Sequence, residues 1–350
     1  MKIGLIGLPG SGKSSCFAAL TGLPPQPSGA GERVGAVQVP EPRLLRLAEI
    51  YNPPKITYAE IMLVDTDALE SGGGGQQVQK HLSRLAQEAD AFAIVLQCFG
   101  DLDHTGSPLD ARGDLETLLL ELTMADLEVV GRRLERIAEG AKKDRGSNEA
   151  HLLERLHAAL SAGKPVIEMG LTHDQRKLLS GMTLVTSLPL LVACNVGEDD
   201  LQGEKAAGAV RLADELGLPH LNFCAALEIE IAQLPPEEQA DFLADYGLEA
   251  SARDRFIRAA YDLLHLVTFL TAGEKEVHAW SVHQGATAPE AAGKIHTDLQ
   301  NGFIRAETVA FNDLDRYGSL AECRKHGLVR LEGKEYVVKD GDVLDIRFSR

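Results

Sequence analysis

The chain has 350 residues, 44% of them apolar and 25% charged, an ordinary globular composition with length enough for two or three domains. Its formal net charge of −17 excludes general adhesion to nucleic acid or to anionic membrane, although a local patch is not forbidden. No apolar run approaches a membrane span, and the N-terminus opens directly on a strand and a glycine-rich loop without a signal-peptide pattern, which predicts a cytoplasmic protein with no membrane partner. Cys16, Cys98, Cys194, Cys224 and Cys323 lack Cys-x-x-Cys spacing and read as reduced core residues, and the histidines form no ligand cluster, so no structural metal is expected.

In chain order, Lys2-Ile3-Gly4-Leu5-Ile6 reads as a buried strand, Gly7-Leu8-Pro9-Gly10-Ser11-Gly12-Lys13-Ser14 as a phosphate-binding loop, and Ser15-Cys16-Phe17-Ala18-Ala19-Leu20 as the start of a helix. Strand, loop and helix in that order are the context the motif requires. Gly7, Gly10 and Gly12 let the backbone curl so that successive N–H groups face one anion, and the helix N-terminus adds partial positive charge. The expected phosphate-binding set is Gly7, Gly10, Ser11, Gly12, Lys13, Ser14 and Ser15, with Lys13 as the catalytic cation and the Ser14 hydroxyl on Mg2+. Such a site binds a nucleoside triphosphate.

Residues 24–31 form a proline- and glycine-rich loop where a switch NTPase carries a metal-binding threonine. Thr21 lies too close to the first helix for that role, leaving Ser28 as the sole hydroxyl within the loop. Residues 34–40 alternate as a strand, 43–50 read as a short helix, and 59–65 form a second apolar strand ending in Asp65. An aspartate at the carboxyl end of that strand points at the nucleotide and is the second expected metal residue; the competing reading is a turn or cap aspartate. Thr66-Asp67-Ala68-Leu69, Ser71 and Gly72-Gly73-Gly74-Gly75 follow as a mobile loop placed to close over the γ-phosphate. A helix over 78–89 and a fully apolar strand over 92–98 complete a pattern of strands separated by helices, which predicts a doubly wound parallel sheet.

From Asp114 the pattern turns to long helices. Leu115, Leu118, Leu122, Ala125 and Val129 follow coiled-coil spacing, and after a polar turn over 142–148 the residues Leu152, Leu156, Ala159 and Leu160 mark a returning arm. This predicts a helical hairpin inserted into the nucleotide domain, its charged outer face free for a partner. The sheet resumes over 188–194, and Asn195-Val196-Gly197-Glu198 then meets the base, with Cys224 and Ala225 closing the site after a further strand over 220–224. Guanine-specific sites carry lysine after the asparagine and aspartate two residues later. Val196 and Glu198 stand there instead, and a buried donor–acceptor mismatch costs about 1–3 kcal/mol per group, which favours adenine.

A helical stretch over 243–264 leads to a hairpin over 267–282, a helix capped by Thr287 with Pro289 in its first turn, and strands over 308–311, 336–338 and 343–348. The order suggests a ubiquitin-like β-grasp module. Residues 266–350 hold 13 acidic and 11 basic side chains, so the acidity sits in the rest of the chain and this module is the surface better able to meet RNA.

These residues resemble the Obg-like ATPases, the YchF-type branch of the Obg family of P-loop NTPases. The resemblance runs through Val37-Gln38-Val39-Pro40-Glu41-Pro42-Arg43-Leu44, Asp114-Leu115-Glu116-Thr117, Ala125-Asp126-Leu127-Glu128, Asn195-Val196-Gly197-Glu198 and residues 229–248. It is most specific in Thr271-Ala272-Gly273, Lys275-Glu276-Val277-His278-Ala279-Trp280, Gly285-Ala286-Thr287-Ala288-Pro289, Ile295-His296-Thr297-Asp298 and Gly302-Phe303-Ile304-Arg305-Ala306-Glu307, which look like the family's TGS domain. It implies an α/β P-loop NTPase of Ras-like, Obg type with a doubly wound sheet. The nucleotide domain would span 1–113 and 166–265, interrupted by a coiled-coil hairpin at 114–165, with a β-grasp TGS domain at 266–350. It also implies ATP over GTP with Mg2+, and association with ribosomes or RNA, or a protein partner, through the hairpin and the TGS domain; no DNA partner is expected.

The family lacks the glutamine that orients water in other switch NTPases, and Leu69 occupies the corresponding place here, implying slow hydrolysis. Three departures touch the γ-phosphate. Gly10-Ser11 replaces the family's usual Asn-Val, removing a side chain expected to help hold a monovalent cation; Asp65-Thr66-Asp67-Ala68 replaces Asp-x-Ala-Gly; and the threonine-bearing switch segment is deleted. Binding is therefore better supported than turnover, and the alternative is a nucleotide-binding scaffold without catalysis. The loop alone would allow a small-molecule kinase, but this chain shows no arginine-rich lid and a TGS module has no place in such an enzyme.

Overall fold

The computed structural model describes residues 1–24, 31–66, 68, 69, 75–140 and 146–349. Ser28, Asp67, Ser71, Gly72, Gly73 and Gly74 lie outside the described residues, as do residues 142–145 of the polar turn. The strands are β1 (Lys2–Ile6), β2 (Arg33–Gln38), β3 (Ile56–Thr57), β4 (Glu60–Asp65), β5 (Ala91–Cys98) and β6 (Leu190–Val196), then β7 (His220–Phe223), β8 (Leu266–Ala272), β9 (Val277–His283), β10 (Phe303–Ala310), β11 (Arg330–Glu332) and β12 (Asp342–Phe348). They form two sheets, ordered β2-β4-β1-β5-β6-β7 and β11-β10-β12-β8-β9-β3.

The chain falls into two compact units, residues 1–36 with 62–259 and residues 37–61 with 260–350. In the first, β4, β1, β5, β6 and β7 run parallel, as strands joined by helical crossovers must. Ile3, Leu5, Phe92, Ala93, Ile94, Leu191, Val192 and Ala193 are fully buried, which is why these strands read as continuous apolar runs rather than alternating ones. No helix among the described residues is long and apolar enough to cross a membrane.

The expected hairpin consists of helices Ala111–Glu139 and Asn148–Ser161, packed on one another. Its apolar stripe divides into two parts. Leu115, Leu118, Leu122 and Ala125 belong to the core around the parallel sheet, whereas Val130 and Ile137 pack with Leu152, Leu153, Leu156 and Leu160 of the returning arm. The first half of the supposed coiled-coil seam is therefore a sheet-packing helix face. The stretch over 243–264 is also broken: helix Pro236–Asp245 ends near Gly247, whose φ of 67° suits glycine, and helix Ala252–Leu263 begins afresh.

In the second unit, β8 and β9 form the expected hairpin and helix Ala288–Ile295 starts with a capping box between Thr287 and Glu290. Phe311 opens a helix, Phe311–Tyr317, instead of ending a strand, and residues 336–338 contribute an isolated bridge from Val337 to Thr287 instead of a strand. Residues 37–61, read from the sequence as part of the nucleotide domain, pack within this unit. Helix Pro42–Tyr51 buries Leu44 and Leu47 and packs on β9, β8 and helix Phe311–Tyr317, while β3 extends the sheet parallel to β9.

Candidate functional site

Register alone gathers the site. Leu5 pairs with Asp65, placing that carboxylate beside the strand that runs into the phosphate loop, and Gln97, Asn195 and Phe223 stand side by side on β5, β6 and β7. The carboxyl ends of five parallel strands thus surround Gly7–Ser14, where ligands of open α/β sheets bind.

The loop turns at Gly10 (φ 83°) and Gly12 (φ 79°), left-handed conformations that favour glycine. Ser11 N–H donates to the Leu8 carbonyl at 3.2 Å, closing the turn. Glycine at 7 and 12 is also required by close approach. A Cβ on Gly7 would lie 2.6 Å from the Val95 carbonyl oxygen, and one on Gly12 would lie 2.2 Å from Asn195 Nδ2. Gly12 caps helix Lys13–Thr21, whose N-terminal amides and dipole complete an anion site.

Lys13, buried to 6% exposure, donates from Nζ to Asp65 Oδ1 at 2.9 Å and to the Thr66 carbonyl. A buried ammonium requires such partners, and phosphate oxygens are the natural competitors for its protons. Asn195 bridges two segments: Nδ2 donates to the Ser11 carbonyl at 3.2 Å and Oδ1 accepts from Ala225 N–H at 3.1 Å. Cys224 lies one residue before, its thiol pushed up first by burial and further by the Glu198 carboxylate. The Cys16 thiol, beneath the loop, is likewise pushed up by burial, with Asp65 adding to it.

These contacts bring Gly7, Ser11, Gly12, Lys13, Asp65, Asn195 and Ala225 together, with half-buried Ser14 and Ser15 at the start of the helix. Val196 differs from its expected role: it is 2% exposed and belongs to the hydrophobic core, while Glu198 is exposed. The alternation of a strand explains this, since Asn195 and Val196 must face opposite ways. Leu69 is also in the core, with its N–H donating to the Gly7 carbonyl at 3.0 Å.

Two neighbours escaped the sequence reading. Gln97 Nε2 donates to the carbonyls of Phe99 (3.2 Å) and Leu102 (3.0 Å), pinning the loop after β5 so that a Cβ on Gly10 would meet His104 Cβ at 3.0 Å. Gln97 was the one strongly polar residue in a strand read as fully apolar, and that was the available signal. His104 had none.

Comparison with known proteins places this geometry. The chain is 39% identical over its whole length to a Bacillus subtilis protein named ribosome-binding ATPase YchF, covering 99% of that relative. The chain belongs to the YchF family. A relative of the same name from Escherichia coli O157:H7 is 35% identical over 99% of each chain. The structure of the Schizosaccharomyces pombe YchF GTPase superposes with a TM-score of 0.84 at 26% identity, covering 99% of this chain and 97% of that one. Residues 266–349 match the YchF-GTPase C-terminal family model, described as a protein of unknown function (DUF933). Membership in the YchF family makes this an Obg-like nucleotide-binding fold, a P-loop NTPase with the family's C-terminal domain.

Proposed function

We propose that this YchF-family chain is a cytoplasmic, Mg2+-dependent ATPase of low turnover that acts on ribosomes. The observation that carries the reading is the cradle itself: glycine-turned amides at a helix N-terminus, Lys13 buried beside Asp65, and Asn195 tying the loop to the base-side segment at Ala225. The relatives' name, ribosome-binding ATPase, supports the nucleotide and the ribosome alike. The base side lacks the lysine and aspartate that read guanine, since Val196 is in the core and Glu198 has the longer stem, which supports adenine. In this reading the hairpin and the C-terminal unit are the surfaces offered to the ribosome.

The donor set suits Mg2+. Ser14 offers a hydroxyl and Asp65 a carboxylate, both hard oxygen ligands, and no group of three or more His, Cys, Asp or Glu side chains is assembled for a metal among the described residues. Mg2+ matches a site of few protein ligands because it keeps waters and shares phosphate oxygens. Bound there, it would neutralise phosphate charge. Lys13 exchanges Asp65 for β- and γ-phosphate oxygens, the Gly10–Ser14 amides hold the phosphates in line, and no side-chain base is supplied.

Burial of Leu69 favours a second reading, a nucleotide-binding scaffold without turnover, because nothing at that position can orient water. Calorimetry with ATP and GTP in Mg2+, with phosphate release followed on the same sample, separates the two. The expected result is ATP binding with slow release, both abolished by Lys13→Ala; binding without release, even with ribosomes, establishes the scaffold, and no binding removes both.

A further inference from the structure

Helix Ala111–Glu139 covers the parallel sheet with Leu115, Leu118 and Leu122, and its far side carries a second apolar strip that this packing does not use. By helical spacing Thr117, Leu120, Met124 and Gly131 fall opposite the buried row. Leu120 is 60% exposed and Met124 53%, and as residues four apart they lie side by side on the helix surface. A single exposed leucine needs no explanation, whereas adjacent apolar side chains rimmed by charge mark a contact surface. Gly131 supports the same face. Glycine within a helix is less stable than alanine, and a Cβ at 131 would meet nothing within 4 Å among the described residues. The fold does not require glycine there, but a partner lying close along the strip would.

The rim decides what that partner is. From residue 113 to 131 the helix has no lysine, arginine or histidine, and Glu116, Glu121 and Glu128 flank the strip. Glu116 is paired with Arg112 at 3.0 Å and Glu128 loosely with Arg132 at 3.9 Å, while Glu121 has no ion pair among the described residues. On a chain of net charge −17 this face repels RNA, and a second copy would set the same carboxylates against one another. It attracts a cationic protein segment. An amphipathic helix meets both demands, with apolar side chains on Leu120 and on the adaptable thioether of Met124, and lysines or arginines at the glutamates. We infer, resting on the ribosome reading above, that this face docks a basic amphipathic helix of a ribosomal protein, so that the first arm of the hairpin touches protein and not RNA.

Co-sedimentation of the full chain with purified ribosomes tests this contact, with ATP affinity measured on every variant and a benzoylphenylalanine cross-linker placed at residue 120 in a separate chain. The unaltered chain pellets with ribosomes. Leu120→Gln with Met124→Gln weakens binding about tenfold or more, whereas Leu120→Met with Met124→Leu, which keeps the strip apolar, binds as the unaltered chain does. Glu121→Lys weakens binding and lowers its dependence on salt. Light joins the cross-linker to a lysine- or arginine-rich segment of a ribosomal protein. ATP affinity stays the same throughout. Undiminished pelleting of the glutamine double variant, or a cross-link to ribosomal RNA or to a second copy of the chain, overturns the inference and leaves the ribosome reading standing. Failure of the unaltered chain to pellet removes that reading and this contact together.

Discussion

Asn195 uses both ends of one amide to hold the phosphate loop and the base-side segment in register, and it is 4% exposed. Asn195→Ala strands the buried Ser11 carbonyl and the Ala225 N–H, each worth about 1–3 kcal/mol when left unpaired. ATP affinity should therefore fall by roughly tenfold or more while the fold persists, which calorimetry and circular dichroism on the same sample would show. Gly12→Ala is expected to be worse. The left-handed φ of 79° already strains any side chain, and the new Cβ would lie 2.2 Å from the Asn195 amide nitrogen it must displace. Nucleotide binding by Gly12→Ala at unaltered affinity would refute the claim that this contact sets the shape of the cradle.

The helical hairpin shows how elements are held and why some were legible. Asp126, fully buried on helix Ala111–Glu139, accepts from Val185 N–H (2.7 Å), Thr186 N–H (2.8 Å) and Thr186 Oγ1 (2.6 Å). Asp126→Ala orphans three donors and should cost on the order of 3 kcal/mol, read as a lower urea midpoint and faster exchange at the Val185 and Thr186 amides. At the other sheet, Thr57 and Lys55 hold the Glu276 carboxyl below its usual range, the Thr57 hydroxyl contributing most. A depressed carboxylate stabilises the fold above its unfolded pKa and loses that contribution as the pH falls further. Pairing of β3 with β9 should thus weaken below about pH 4.5, visible as reduced protection of the Ile56 and Thr57 amides, relative to their intrinsic exchange at each pH, and Glu276→Gln removes that pH dependence of protection.

Sequence pattern reached the parallel strands because both faces are covered, and it reached the phosphate loop because glycine spacing is a backbone requirement. It could not divide the stripe of Leu115, Leu118, Leu122 and Ala125 from that of Val130 and Ile137, since a helix packed on a sheet and one packed on a helix share the same period. Nor could it foresee Val196 in the core, because a site motif read as consecutive residues ignores that a strand faces them apart.

At the scale of the molecule, two compact units do not correspond to two continuous stretches. Residues 37–61 leave the first unit within β2, contribute a helix and an edge strand to the second, and return within β4, the strand that ends at Asp65. The attachment within the second unit is specific: Arg43 pairs with Asp340 at 2.7 Å, Arg46 with Asp315 at 2.6 Å, and Leu44 and Leu47 are fully buried. Burying each such leucine contributes about 1.5–3 kcal/mol, so residues 260–350 alone should lack part of their core. Leu47→Ala in the full chain tests this, because a buried leucine truncated to alanine costs about 2–5 kcal/mol. Two transitions are expected on heating with saturating ATP, and the one that ATP does not raise should fall in the variant, with ATP affinity near that of the unaltered chain. A drop confined to the ATP-raised transition would instead assign residues 37–61 to the nucleotide unit, and would make the C-terminal module an independent appendage whose stability owes nothing to the segment between the phosphate loop and Asp65.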